Sequence, residues 1–112
     1  TFKTDSSSIT NTTIAIVGTD IEMSKTELKR MSVAAHDGIA RAIVPAHTTF
    51  DGDLIFSVST CKKKIHKSDM DLAIIGHASA ICLSRAIARS VYEAKEEETD
   101  IYPTWKYREE NT

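Results

Sequence analysis

Two cysteines, two prolines and four glycines are all that this 112-residue chain holds of the residue types that staple, break or loosen a backbone. Cys61 and Cys82 stand in no metal-ligand or redox spacing, and a pair of thiols is too few for a disulfide-built scaffold. A reducing, cytoplasmic setting is therefore expected. Charge of one sign is also scarce: the formal net charge is -2 with acids and bases mixed along most of the chain, which gives no ground for a nucleic-acid or membrane partner. No apolar run is read as long enough to cross a bilayer, and no secretory signal opens the chain. An initiator methionine is missing too, so a processed product or a fragment is expected. At this length one hydrophobic core is the most that can form.

What is present is ordered as strand, helix, strand, helix. Residues 1–11, rich in Ser and Thr, bury too little to order themselves and are taken as a linker or processing segment. From Thr12 the β-branched run Thr12-Thr13-Ile14-Ala15-Ile16-Val17 is nearly continuously apolar, as in a central strand covered on both faces. Ser24-Lys25-Thr26-Glu27 is a capping box, and Leu28, Met31, Ala35, Ile39 and Ala42 then recur on one helical face until Pro45. Leu54 to Thr60 makes a second strand, and Cys61 to Lys67 a basic connection. Ser68-Asp69-Met70-Asp71 caps a long helix with a stripe of Leu72, Ile75, Ser79, Cys82, Ala86 and Arg89, slimmed in the middle by Gly76, Ala78, Ser79 and Ala80. Glu96, Glu97 and Glu98 oppose the dipole at its carboxyl end, so fraying and an extended tail over 99–112 are expected. A two-stranded sheet is a weak core by itself, which calls for a companion segment.

Two places have the residue types for chemistry. At Asn11-Thr12-Thr13 a hydroxyl sits where a polar tail meets a strand, so the peptide bond ahead of Thr12 is free to distort toward an N-to-O acyl shift. If the Asn11–Thr12 bond broke, the new α-amine of Thr12 would lie beside its own hydroxyl and could serve as its base. Ser and Thr before strands otherwise end turns. At Phe50-Asp51-Gly52-Asp53-Leu54, residues two apart in extended backbone point to one side, so Asp51 and Asp53 can share a site and hold an ammonium or relay a proton. Asp-Gly between apolar runs is also a strong hairpin signal, and spacing alone favours that turn over a shared site. His36, His47, His66 and His77 show no metal spacing, so no metal site is predicted and no cofactor is implied. The Lys62-Lys63-Lys64, His66, Lys67 run lacks interleaved aromatics and is taken as a solvated loop rather than a phosphate or nucleic-acid patch, and Cys61 beside it as a structural thiol.

Three blocks in order, Asn11-Thr12-Thr13-Ile14-Ala15-Ile16-Val17-Gly18-Thr19-Asp20, then Ala35-His36-Asp37-Gly38-Ile39-Ala40-Arg41-Ala42-Ile43, then Pro45-Ala46-His47-Thr48-Thr49-Phe50-Asp51-Gly52-Asp53, resemble the L-aminopeptidase/D-amidase/esterase family, which includes β-aminopeptidases and the nylon-oligomer hydrolase. The resemblance spans roughly residues 11 to 95. It implies an α+β fold that is part of a four-layer αββα sandwich like that of amino-terminal-nucleophile hydrolases, with 12–98 as the catalytic region. It further implies a precursor that cleaves itself at Asn11–Thr12, with Thr12 as nucleophile and Asp51 and Asp53 as its supporting carboxylates. The serine-type members carry a serine at the Thr12 position; the paired aspartates resemble the nylon-hydrolase branch. The implied partners are a larger amino-terminal segment of the same precursor, further copies in a homo-oligomer, and a peptide or amide substrate. Thr1 is a weaker nucleophile candidate because it sits on the polar segment without rigid support. A family member that has lost its chemistry and acts as a binding or assembly module is the alternative.

Overall fold

The computed structural model describes residues 12–47, 52–99 and 103–106. Strand β1 (Ile14–Ile21), helix α1 (Lys25–Ala42), strand β2 (Leu54–Lys63) and helix α2 (Asp69–Glu93) follow one another in that order, an α+β arrangement. The two strands pair in parallel, with Ile14 opposite Leu54 and the register running in step to Thr19 opposite Ser59. The register then slips, so that Ile21 faces Lys63, and Cys61 occupies the extra length with φ at 55° while its N–H is held by Ser59 Oγ at 3.0 Å. The second strand therefore runs three residues past the sequence expectation and takes in the start of the basic connection.

Both helices begin where their sequence predicts. Ser24 accepts the Glu27 N–H while the Glu27 carboxylate accepts the Ser24 N–H, and Ser68 and Asp71 repeat the exchange at α2. The Ser24 N–H beside Glu27 lowers its carboxyl below the usual glutamate range, and the Ser68 N–H does the same to Asp71. Lys67 ties the first of these caps to the sheet: its Nζ donates to the Glu22 carbonyl at 2.7 Å and lies 3.7 Å from Glu27 Oε1.

Because pleated side chains alternate, the odd positions of both strands as far as the register slip face the helices and the even ones face away. Val17 and Ile55 join Met23, Met31, Ala35, Ile39 and Leu83 in the core, with Ile39 wholly buried. Burying a side chain of that size is worth about 1.5–3 kcal/mol. The opposite face, with Ile14, Ile16, Phe56 and Val58, is exposed, since both helices lie on one side of the pair. The strand expected to be covered on both faces is thus covered on one by the described residues.

The helix faces need two corrections. On α1 the buried residues are Met31, Ala35, Gly38 and Ile39, whereas Ala42 is exposed because the helix ends there. On α2 the inward stripe runs through Leu72, Ile75, Gly76, Ser79, Ala80, Leu83 and Ile87, while Cys82, Ala86 and Arg89 are exposed. The true stripe takes a four-residue step from Ser79 to Leu83 where the sequence pattern had taken three, which turned the expected face outward. By length and composition α2 would also suffice to cross a bilayer, which the sequence pattern had not indicated, although one side of it packs on α1. It ends at Glu93, ahead of the three glutamates. Of the tail, Trp105 and Lys106 are helical rather than extended, and Lys106 returns to Glu93 at 3.9 Å and to the Tyr92 ring at 5.5 Å.

Candidate active site

Parallel pairing places the beginnings of β1 and β2 side by side, which brings together residues some forty positions apart in sequence. The Leu54 N–H donates to the Thr13 carbonyl at 2.9 Å, so Thr12-Thr13 and Gly52-Asp53 lie next to each other at one edge of the sheet. A hairpin at Asp-Gly is ruled out as the partner arrangement for β2, which pairs with β1 in parallel.

Asp53 is the centre of the cluster. Its side chain is only 8 % exposed, its Oδ1 accepts the Thr13 N–H at 3.0 Å, and its Oδ2 lies 3.3 Å from His47 Nδ1. A carboxylate so placed needs donors in place of the water it has lost, and these two supply them. Thr12 is exposed, with its Oγ1 3.2 Å from where a β-carbon on residue 52 would stand. Glycine at 52 therefore keeps the hydroxyl uncrowded. Asp51 and Asn11 lie outside the described residues, so the sequence pair Asp51–Asp53 is represented by Asp53 and the Asn11–Thr12 bond by Thr12.

His47 was not singled out by sequence spacing. Its Nε2 meets the His36 carbonyl at 3.1 Å and its ring meets the His36 ring edge-on at 5.2 Å between centroids. The signal that could have found it is its place in the same block as Asp53, six positions before it. A search by metal spacing passes over a histidine whose partners are one carboxylate and one carbonyl.

The other candidates fall elsewhere. Lys63 and Lys64 reach Asp20 and Glu22 at 3.5 and 4.0 Å, and Lys67 reaches Glu27, so most of the basic run is matched by acids on and after β1. Cys61 and Cys82 are both free and exposed. Among the described residues no three His, Cys, Asp or Glu gather as a metal site would require.

The chain is thus an α+β unit with a hydroxyl, a buried carboxylate and an imidazole collected at one edge of a parallel strand pair. It belongs to peptidase family S58, whose pattern matches residues 2–101, the family of L-aminopeptidases, D-amidases and esterases that the three sequence blocks resemble. It is similar to an uncharacterised aminopeptidase of Mycobacterium tuberculosis (strain ATCC 25618 / H37Rv), 35 % identical over 95 residues that cover 76 % of this chain and 28 % of the relative. A corresponding protein of Mycobacterium leprae (strain TN) is 37 % identical over 95 residues, again 76 % of this chain and 26 % of the relative. A 6-aminohexanoate-oligomer endohydrolase of Paenarthrobacter ureafaciens is 42 % identical over 50 residues, 45 % of this chain and 14 % of that protein. The chain spans less than a third of the length of the curated relatives it matches.

Proposed function

We propose that this chain is the nucleophile-bearing segment of a self-processing amidohydrolase that cleaves peptide or linear amide bonds. The observation that carries the proposal is the parallel register, which sets Thr12 beside Gly52-Asp53 with the buried Asp53 carboxylate on the very next N–H. Cleavage at Asn11–Thr12 frees the α-amine of Thr12. That amine accepts the hydroxyl proton as Oγ1 attacks the substrate carbonyl, and then gives it to the departing amine. Water hydrolyses the acyl-enzyme by the same route. Asp51 and Asp53 orient the Thr12 ammonium and hydroxyl.

The rest of the protein supplies what 112 residues do not. A larger amino-terminal segment brings the donors that stabilise the oxyanion and most of the substrate pocket. Its sheet packs on the open face formed by Ile14, Ile16, Phe56 and Val58, which completes the four-layer αββα sandwich and explains why those side chains are apolar. Pairs of such segments assemble further as homo-oligomers in the cytoplasm.

The test is the intact mass of the full-length protein. Wild type is expected to yield a fragment that begins at Thr12 and to hydrolyse an amide, and Thr12→Ala to stay whole with activity lowered by at least about a thousandfold. A wild-type protein that stays whole and hydrolyses no amide would favour the non-catalytic assembly module instead.

A further inference from the structure

We propose that His47 is a positioning residue that holds the Asp53 carboxylate in its working orientation at Thr12. The proposal rests on the Thr12 mechanism above and adds to it a residue from the loop between α1 and β2.

Three observations carry it. First, the two ring nitrogens of His47 each face an acceptor, the His36 carbonyl at Nε2 and Asp53 Oδ2 at Nδ1. Each ring nitrogen thus has an oxygen neighbour in place, which pins the ring between α1 and the residue just ahead of β2. Second, the two oxygens of Asp53 are divided between two donors, Oδ1 to the Thr13 N–H and Oδ2 to His47. With one oxygen held the carboxylate can still swing about its last torsion; with both held its plane is fixed. Third, His47 adopts φ of 56°, a left-handed backbone that a side-chain-bearing residue enters at a cost of roughly 1 kcal/mol or more. Glycine or asparagine would be the residue of choice for that backbone alone. A histidine there is accounted for by what its ring does.

Among the described residues the groups facing the ring are the Asp53 carboxylate, just ahead of β2, and the His36 carbonyl and ring from α1. Among the described residues Asp53 is the anion that faces it. The chain of contacts runs from the α1 carbonyl through the imidazole and the carboxylate to the N–H next to Thr12. Helix α1 thereby sets the carboxylate's angle, as outer partners do for ligands in metal sites.

Substitutions separate the ring's role from the backbone's. His47→Gly suits the left-handed backbone and removes both ring nitrogens. His47→Asn suits it as well and places an amide N–H where Nδ1 stands, whereas the longer amide of His47→Gln reaches toward the Nε2 place. In the full-length protein, with turnover scaled to the processed fraction read from intact mass, His47→Gly is expected to lose about 10- to 100-fold in kcat with KM nearly unchanged. His47→Asn should recover most of that loss and His47→Gln little of it. Added imidazole should restore His47→Gly, because the vacated place is partly open to solvent. Thermal unfolding of each variant tells a misfolded protein from a misaligned one. Equal turnover in His47→Gly and wild type would overturn the proposal. So would an equal loss in His47→Gly and His47→Asn, at unchanged unfolding temperature and without imidazole rescue. Thr12→Ala serves as the separate control: full activity there would overturn the Thr12 mechanism itself, whatever the His47 series shows.

Discussion

At 8 % side-chain exposure the Asp53 carboxylate has given up most of its water and meets in exchange the Thr13 N–H and the His47 ring. The helix caps use carboxylates differently. Glu27 and Asp71 are half-buried at the surface, and each carboxylate accepts a cap N–H that only its ionised form holds well, so their acidities are raised relative to an unfolded chain. A carboxyl whose folded value lies below its unfolded one adds stability above the unfolded value and loses it as the pH falls through the lowered folded value. Wild type should therefore be more stable than Glu27→Ala near neutral pH, and the gap should narrow as the pH drops below roughly 4.5, the ordinary value for glutamate. Urea midpoints taken across that range check it; a gap that does not change with pH would mean the carboxylate contributes only through helix propensity or packing. The caps were legible because each is written within four consecutive residues. His47 was not, since its partners, the His36 carbonyl on α1 and Asp53 ahead of β2, stand eleven and six positions away with no local pattern that links them.

At the scale of elements, the contact between α1 and α2 depends on two glycines. A β-carbon added at Gly38 would stand 2.3 Å from the Ala80 carbonyl oxygen and 3.2 Å from Leu83 Cβ, and one at Gly76 would stand 2.9 Å from Ala34 Cβ. Neighbouring backbone cannot yield as a flexible side chain can, so Gly38→Ala should force the helices apart. The gain in helix propensity, up to about 1 kcal/mol, is outweighed by overpacking at about 1–3 kcal/mol. The expected net loss is about 1–2 kcal/mol, read from denaturant midpoints, with Ala40→Gly on the exposed side of α1 as a control that loses only its propensity. A Gly38→Ala protein more stable than wild type would contradict the close approach. The small-residue middle of α2 could be seen in sequence as Gly76 to Ala80, but its counterpart Gly38 could not, because nothing local marks which glycine meets a neighbour. The same lack of a partner explains the misplaced outer half of the α2 stripe: Ile75 and Ser79 continue as well to Cys82 as to Leu83 until α1 selects one face.

At the scale of the whole molecule, the order of strands and helices was legible from periodicity and caps, whereas the relation between the strands was not. Asp-Gly before β2 speaks locally for a hairpin, and only the length of the α1 crossover makes a parallel pair possible. That choice decides the chemistry, because antiparallel strands would put Thr12 and Asp53 at opposite ends of the sheet. The open face with Ile14 and Phe56 carries the same lesson: continuous apolar character in β1 suits burial on both faces, while the described residues cover one. The proposed chemistry stands or falls with acylation of the Thr12 hydroxyl. Its most direct test is peptide mapping of the processed protein after reaction with a slowly released ester substrate. An acyl group found on Thr12, absent after Thr12→Ala, is the result expected; an acyl group on any other residue, with Thr12 unmodified, would contradict it.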